Sequence, residues 1–270
     1  MSYLEAIFLG ILQGLTEFLP VSSSAHLILA ETLFGTGEPD LLFSVLLHLG
    51  TLGAVLTAYR DTVRKLLRET KSVLTHLLRG KKPPETEHRR LLSGLFIALI
   101  PLLLIYPFKS RLTPLLLSPV TAGICLLFNG GILLLCAGIK NPPTKKELKL
   151  PDALFVGILQ CAAILPGLSR SGTTVTAGLC RGWDKEQAAE FSFLLSVPTI
   201  LGGAVTEIAD ALSAGVSAAA MPGYLLGTAA AALSGFGAIR LFRRFLKSNR
   251  FFTFAIYSFA VGALTLWLTA

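Results

Sequence analysis

Six apolar runs decide what this chain can fold into, because each is long enough to cross a lipid bilayer. A helix that crosses the hydrocarbon core needs about 20 mostly apolar residues, within a range of about 17–25. The runs are residues 42–59, 91–108, 116–138, 187–208, 219–239 and 251–269. With 53% hydrophobic and only 15% charged residues, the chain is too apolar for a soluble domain of this length. The sequence therefore predicts an all-α polytopic membrane protein with six transmembrane helices.

Two further apolar segments, residues 3–30 and 151–180, are each interrupted in the middle by Pro, Gly and Ser. The interruptions read LPVSSSAH at 19–26 and LPGLSRSG at 165–172. Broken backbone at membrane depth is tolerated only where protein or a water-filled cavity covers it. We interpret both segments as re-entrant helix hairpins, each returning to the membrane face from which it entered.

The basic residues indicate how the chain is oriented. If the six runs cross and the hairpins return, four loops on one face carry 21 of the 24 lysines and arginines. These loops are residues 60–90, 140–149, 181–185 and 240–250. The opposite face carries Lys109 and Arg111. The positive-inside rule then predicts cytoplasmic basic loops and both termini outside.

The net charge of +8 is therefore explained by membrane orientation. No basic patch interleaved with aromatic residues is present in the sequence, so nucleic acid is not a predicted partner. Within 60–90, Leu and Val recur at helical spacing among Arg and Lys, which predicts a basic amphipathic helix on the inner leaflet. A helix that docks a protein partner is the alternative. The following KKPPETEHRR is predicted to be a solvated turn, and Trp183 and Tyr257, near run ends, are predicted to be interfacial aromatic residues.

An internal repeat relates the two halves of the chain. Four short matches recur at a separation of 146–150 residues. They are GILQ at 10–13 and 157–160, FLPVSS and ILPGLS at 18–23 and 164–169, FSVLL and FSFLL at 43–47 and 191–195, and GAV at 53–55 and 203–205. This predicts one membrane domain built from repeats 1–140 and 141–270, each a hairpin followed by three transmembrane helices. Because three is odd, the second copy starts from the opposite face, which makes an inverted-topology repeat.

Polar residues cluster in the first hairpin. Gln13 and Glu17 are four residues apart and so share a helix face. Pro20 ends that helix, and the serines at 22–24 begin the next one, with His26 in its first turn. A carboxylate in hydrocarbon costs several kcal/mol unless it is paired or solvated, so this cluster is a predicted functional site.

The second hairpin places Ser169, Arg170 and Ser171 at the equivalent helix start, with Thr173 and Thr174 following. Two helix N-termini that face each other form an anion site, and an arginine adds forked donors suited to phosphate oxygens. Taken alone, the Ser and Thr residues are also common in helix packing.

Oxygen atoms of the Gln13 and Glu17 side chains suit a hard divalent cation, Mg²⁺ first and Ca²⁺ as an alternative. Arginine, a metal-binding carboxylate, histidine and serine in one place are the groups used in phosphoryl transfer. A structural ion pair between Arg170 and Glu17 is an alternative interpretation, and His48 in the first span could face the same cavity.

QGLTEFLPVSSSAH resembles the acidic motif of the bacitracin-resistance type undecaprenyl-diphosphate phosphatases, in which Glu or Gln, three residues and Glu precede FLPxSSxxH. PGLSRSGTT resembles the second signature of that family, PGxSRSxxT. The likeness continues through EFSFLLSVP at 190–198 and FAIYSF at 254–259 and covers essentially the whole chain.

This resemblance implies removal of the terminal phosphate from the C55 isoprenoid diphosphate, which regenerates the lipid carrier for cell-wall glycans and confers bacitracin resistance. It implies a bacterial inner-membrane protein with a divalent-metal requirement and a pocket open to the outer face. The family's functional positions correspond to Gln13, Glu17, Ser23, His26, Ser169, Arg170, Ser171 and Thr174. Gln13 stands where some members carry Glu, which leaves one carboxylate for the metal, and Ala25 stands where Gly is common.

As a hypothesis, Arg170 and the start of the second hairpin helix bind the diphosphate, while Glu17 and Gln13 hold the cation. Ser23 is the favoured nucleophile, with His26 as its general base and then acid. Attack by His26 is the alternative. A secondary transporter or lipid-phosphate flippase is the alternative function, because inverted repeats with broken helices are typical of transporters. The oligomeric state stays open, with a homodimer as one alternative.

Overall fold

A computed structural model describes residues 1–34, 41–139, 147–214, 218–248 and 250–269, and this part of the chain is helical with short connections. Its α-helices are α1 (Tyr3–Phe18), α2 (Ser23–Phe34), α3 (Leu41–Ala58), α4 (Arg60–Leu78), α5 (Glu87–Ile105), α6 (Lys109–Leu116), α7 (Pro119–Gly138), α8 (Leu150–Ala162), α9 (Arg170–Cys180), α10 (Lys185–Ala214), α11 (Met221–Lys247) and α12 (Phe251–Thr269). The predicted all-α class is confirmed for these residues.

Within the described ranges, six helices are long and apolar enough to cross a membrane: α3, α5, α7, α10, α11 and α12. They correspond one for one to the six predicted runs, so the chain is a multi-span integral membrane protein. The start of α5 differs from the prediction. The Thr86 hydroxyl caps the helix by accepting a hydrogen bond from the Arg89 N–H at 3.0 Å, so helix replaces the predicted turn from Glu87 onward.

Both predicted hairpins contain the expected break. In the first, Leu19 is extended and Ser22 has a φ of 69°, so α1 stops and α2 starts in a new direction. In the second, Gly167 has a φ of 104° and Ser169 caps the start of α9. The breaks are therefore confirmed, whereas the return of each hairpin to its own face and the inverted topology stay predictions.

The first helix of each half packs on the second span of the other half: α1 lies on α11, and α8 lies on α5. Close approach depends on glycine. A Cβ added at Gly14 would lie 2.4 Å from the Ala231 carbonyl oxygen, and one at Gly157 would lie 2.3 Å from the Ala98 carbonyl oxygen. Small residues at such contacts are typical of helix packing in membranes. The two halves are thus interlocked.

The basic segment 60–78 is helical, as predicted. Leu66 is buried in the core, while Leu67, Leu74, Leu77 and Leu78 are exposed. The location of α4 on the inner leaflet stays a prediction. The interfacial interpretation of Trp183 is wrong, because its side chain is fully buried and its ring packs against Phe191 at a centroid distance of 4.8 Å.

We expect Gly14→Ala to lower the stability of the protein by about 1–3 kcal/mol, the usual cost of overpacking, because the added methyl group would push α1 away from α11. The measurement is thermal unfolding of the purified protein in detergent. Gly53→Ala is the matched control, since a Cβ there would meet open space. Equal unfolding temperatures for the two variants would contradict the close packing of α1 on α11.

Candidate active site

An ion pair between Arg170 and Glu17 forms the centre of the candidate site. Glu17 lies in the last turn of α1 and Arg170 is the first residue of α9, so the pair joins the two hairpins. The Arg170 Nη2 group donates to Glu17 Oε1. The side chains are only 17% and 6% exposed, respectively. The alternative interpretation, in which these two residues pair with each other, therefore describes the observed contact.

The second carboxylate oxygen of Glu17 accepts two further hydrogen bonds. Ser23 Oγ donates to Oε2 at 2.6 Å, and Gln13 Nε2 donates to the same oxygen at 3.1 Å. His48 approaches from α3, with its Nε2 atom 3.9 Å from Oε2. A buried carboxylate is stable only when it is paired and hydrogen-bonded, and Glu17 meets both requirements.

The three predicted hydroxyl groups of the second hairpin hold the start of α9 in place. Ser169 Oγ accepts from the Gly172 N–H at 3.1 Å and lies 3.1 Å from Ser171 Oγ. Thr174 Oγ1 donates to the Arg170 carbonyl oxygen at 2.7 Å. Their binding of substrate through the side chains stays a prediction.

Donors suited to an anion do remain at this helix start. The N–H groups of Arg170 and Ser171 are the first two of α9 and have no partner within the helix. The Nη1 atom of Arg170 is buried and has no hydrogen-bond partner within the described residues. Arg170 can therefore pair with Glu17 through one nitrogen and hold an anion with the other.

His26 is held by two contacts. Its Nδ1 atom lies 2.7 Å from the Ser22 carbonyl oxygen, and its Nε2 atom lies 2.8 Å from the Tyr257 hydroxyl. Because a carbonyl oxygen only accepts, Nδ1 carries the proton and Nε2 of the neutral ring accepts from Tyr257. The Ser23 hydroxyl instead donates to Glu17, so the role of His26 as base for Ser23 stays a prediction.

Sequence reasoning missed two residues of this site. Tyr257 was predicted to be interfacial, but its ring stacks on His26 with an interplanar angle of 3°. Asn129 of α7 is fully buried: Nδ2 donates to the Pro20 carbonyl oxygen at 2.9 Å, and Oδ1 accepts from the Ser169 N–H at 3.0 Å. An asparagine in the middle of the apolar run 116–138 was the available signal.

The tips of the hairpins are also bonded directly, because Ser22 Oγ accepts from the Gly167 N–H at 3.0 Å. Ser22 is the one non-glycine residue with a positive φ in the described part of the chain. That conformation costs about 1–2 kcal/mol for a residue with a side chain. The local cost is offset by the contacts that this turn makes possible.

A divalent cation fits part of this site. The described residues contain no group of three or more His, Cys, Asp or Glu side chains that could hold a metal. Gln13 Oε1, however, is buried and has no partner within the same residues. An uncommitted amide oxygen on a residue that bonds to a carboxylate suits a hard cation that takes its remaining ligands from water and phosphate.

Residues 6–264 match the family described as Bacitracin resistance protein BacA. The chain belongs to this family. The matched residues include every site residue from Gln13 to Tyr257.

Similar proteins are found over nearly the whole chain. A protein of Alkaliphilus metalliredigens named undecaprenyl-diphosphatase is 38% identical over 270 residues, covering 98% of each chain. A protein of Syntrophotalea carbinolica with the same name is 39% identical over 269 residues, again covering 98% of each. One of Methanobrevibacter smithii, also named undecaprenyl-diphosphatase, is 38% identical over 271 residues, covering 98% of this chain and 96% of the relative.

We expect Asn129→Leu to destabilise this BacA family member, because leucine cannot bond to the Pro20 carbonyl or the Ser169 N–H. A buried polar group left without a partner costs about 1–3 kcal/mol. Thermal unfolding in detergent measures the loss, and hydrogen exchange should show faster opening of both hairpin tips. Gly131→Ala, in open space on the same helix, is the control and should behave as the wild type. Unchanged exchange at the tips would contradict the bridging role.

Proposed function

We propose that this chain hydrolyses undecaprenyl diphosphate to undecaprenyl phosphate and inorganic phosphate. The observation that carries the proposal is the buried Glu17 carboxylate, which binds Arg170 with one oxygen and the Ser23 hydroxyl with the other. Membership of the BacA family and the names of its relatives support the same reaction. The reaction recycles the lipid carrier for cell-wall glycan synthesis and so confers bacitracin resistance.

In this proposal the diphosphate binds at the hairpin tips. The uncommitted Arg170 Nη1 group and the N–H groups that begin α9 are its donors. A helix N-terminus favours an anion through both its free N–H groups and its dipole. Ser169, Ser171 and Thr174 then fix the shape of this binding site, and the isoprenoid tail lies along the spans in lipid.

Ser23 is the proposed nucleophile. Its hydroxyl lies 2.6 Å from Glu17 Oε2, which orients the oxygen and gives its proton an acceptor. Ser23 Oγ bonds to the terminal phosphorus, the bond from that phosphorus to the bridging oxygen breaks, and its electron pair leaves with undecaprenyl phosphate. Water then cleaves the phosphoserine and releases inorganic phosphate, returning the serine hydroxyl.

His26 is the alternative nucleophile. With the proton on Nδ1, its Nε2 atom has a lone pair and is positioned by the Tyr257 hydroxyl. Attack from this atom would give a phosphohistidine in place of the phosphoserine.

Gln13 and Glu17 are the residues that would hold a divalent cation, Mg²⁺ or Ca²⁺. Such an ion would neutralise phosphate charge and orient the phosphates. The orphaned Gln13 Oε1 supports this assignment.

We further propose a bacterial inner-membrane location with cytoplasmic basic loops, both termini outside and a pocket open to the outer face. The distribution of lysine and arginine supports the orientation. Membership of the BacA family favours the hydrolase over the transporter or lipid-phosphate flippase alternative.

The purified protein should release inorganic phosphate from undecaprenyl diphosphate in detergent, and a chelator should stop the release until Mg²⁺ is restored. Arg170→Ala should reduce the rate by about 10²–10³-fold, because Arg170 is the one permanent cation among the site residues described above. Arg240→Ala is the control, since Arg240 is exposed and stacks over Phe236. Near-normal turnover by Arg170→Ala would overturn the site assignment.

Trapping identifies the nucleophile. Enzyme quenched with acid during turnover should carry phosphate on Ser23, which survives acid, whereas phosphohistidine is lost under acid and survives base. Ser23→Ala should lose both the trapped phosphate and turnover. Full turnover by Ser23→Ala, or base-stable phosphate on His26, would replace the serine mechanism by histidine attack.

A further inference from the structure

His48 of α3 lies beside the proposed cation ligands and has no part in the mechanism above. Its Nε2 atom is 3.9 Å from Glu17 Oε2, and its side chain is 34% exposed. Its Nδ1 atom lies 2.9 Å from the Ser44 carbonyl oxygen. Because that oxygen only accepts, Nδ1 carries a proton, and Nε2 is the ring nitrogen nearest Glu17.

A histidine whose second nitrogen donates to a backbone carbonyl is oriented in the way that metal-binding histidines are. The distance from His48 Nε2 to Glu17 Oε2 also fits two ligands of one metal ion. At 3.9 Å, the two atoms are too far apart for a hydrogen bond. Two ligands that are each about 2.1 Å from one ion lie about 3.0 Å apart at a right angle and about 4.2 Å apart when opposite. One cation can therefore span this separation.

The third group is the orphaned amide oxygen of Gln13. The Gln13 side chain is fully buried, its Nε2 donates to Glu17 Oε2 at 3.1 Å, and its Oε1 has no partner within the described residues. Rotation of the amide by half a turn exchanges these atoms, places the oxygen beside the carboxylate and frees one position on Oε2. Ser23 keeps its bond to Oε2 in both arrangements.

We propose that His48 is a third protein ligand of the cation site, with Gln13 and Glu17. This inference rests on the proposed function, from which it takes the divalent cation. Mg²⁺ and Ca²⁺ prefer oxygen ligands, whereas imidazole nitrogen strengthens the binding of first-row transition metals. The site should therefore bind Mn²⁺ or Zn²⁺ more tightly than an all-oxygen site of the same charge.

The test uses the full-length protein in detergent, with any purification tag removed so that tag histidines do not bind metal. Mn²⁺ is the probe, and its affinity is measured by electron paramagnetic resonance titration. Pulsed measurements on the bound ion should show coupling to one imidazole nitrogen. Competition with Mg²⁺ gives the ratio of the two affinities.

We expect His48→Gln to lose the nitrogen coupling and to lower the ratio of Mn²⁺ to Mg²⁺ affinity by at least about tenfold. His76→Gln is the matched control, because His76 makes the same bond from Nδ1 to the carbonyl oxygen four residues earlier, at 2.8 Å from Ser72 O. It should keep both the coupling and the ratio. Glu17→Gln should weaken the binding of both ions.

Several results would overturn the inference: wild-type protein without nitrogen coupling, coupling that persists in His48→Gln, or Mn²⁺ binding that Glu17→Gln leaves intact. The absence of nitrogen coupling is measured on the wild-type protein. The inference can therefore be contradicted even if His48→Gln misfolds. Phosphate release is measured on the same wild-type sample. Mn²⁺ coupled to His48 without release would contradict the proposed function alone, and release without that coupling would contradict this inference alone.

Discussion

The ion pair between Arg170 and Glu17 is the interaction on which the site depends. Glu17 is buried and Arg170 is mostly buried, and a buried charge that lacks its partner costs several kcal/mol, so each residue requires the other. The two residues belong to different halves of the chain, which means that the pair fixes α1 against α9. The pair uses one oxygen of Glu17 and one nitrogen of Arg170. The other Glu17 oxygen accepts from Ser23, and the other Arg170 nitrogen is left for an anion.

Hydrogen bonds between uncharged groups also join the two hairpins. Each hairpin break exposes backbone groups that cannot be left unpaired at membrane depth. Asn129 bonds to the Pro20 carbonyl on one side and the Ser169 N–H on the other, and Ser22 bonds to the Gly167 N–H. The groups that satisfy the broken backbone are therefore the groups that hold the two hairpin tips together. Stability and site geometry have a common origin in this protein.

The sequence predicted the spans and the breaks, because hydropathy and the Pro, Gly and Ser residues act locally. It also brought Glu17 and Arg170 together, through the internal repeat. It did not predict the contacts of Asn129 and Tyr257, whose partners lie 109 and 231 residues away. Spacing along α2 suggested His26 as the partner of Ser23. In the structure the Ser23 hydroxyl donates to Glu17, a contact that no local pattern reveals, and the role of His26 as base stays a prediction.

Charge balance gives a reason for a cation at this site that is independent of family resemblance. Without substrate, the charges of Glu17 and Arg170 sum to zero, which is the arrangement of lowest free energy for an ion pair surrounded by apolar helices. In the proposed reaction, a diphosphate would bring several negative charges to the same place and would compete with Glu17 for Arg170. Among the site residues described above, Arg170 is the one permanent cation, so one positive charge would face both the carboxylate and the phosphates. A divalent ion held by Gln13 and Glu17 would restore the balance, because it would compensate the Glu17 carboxylate while Arg170 binds the phosphate.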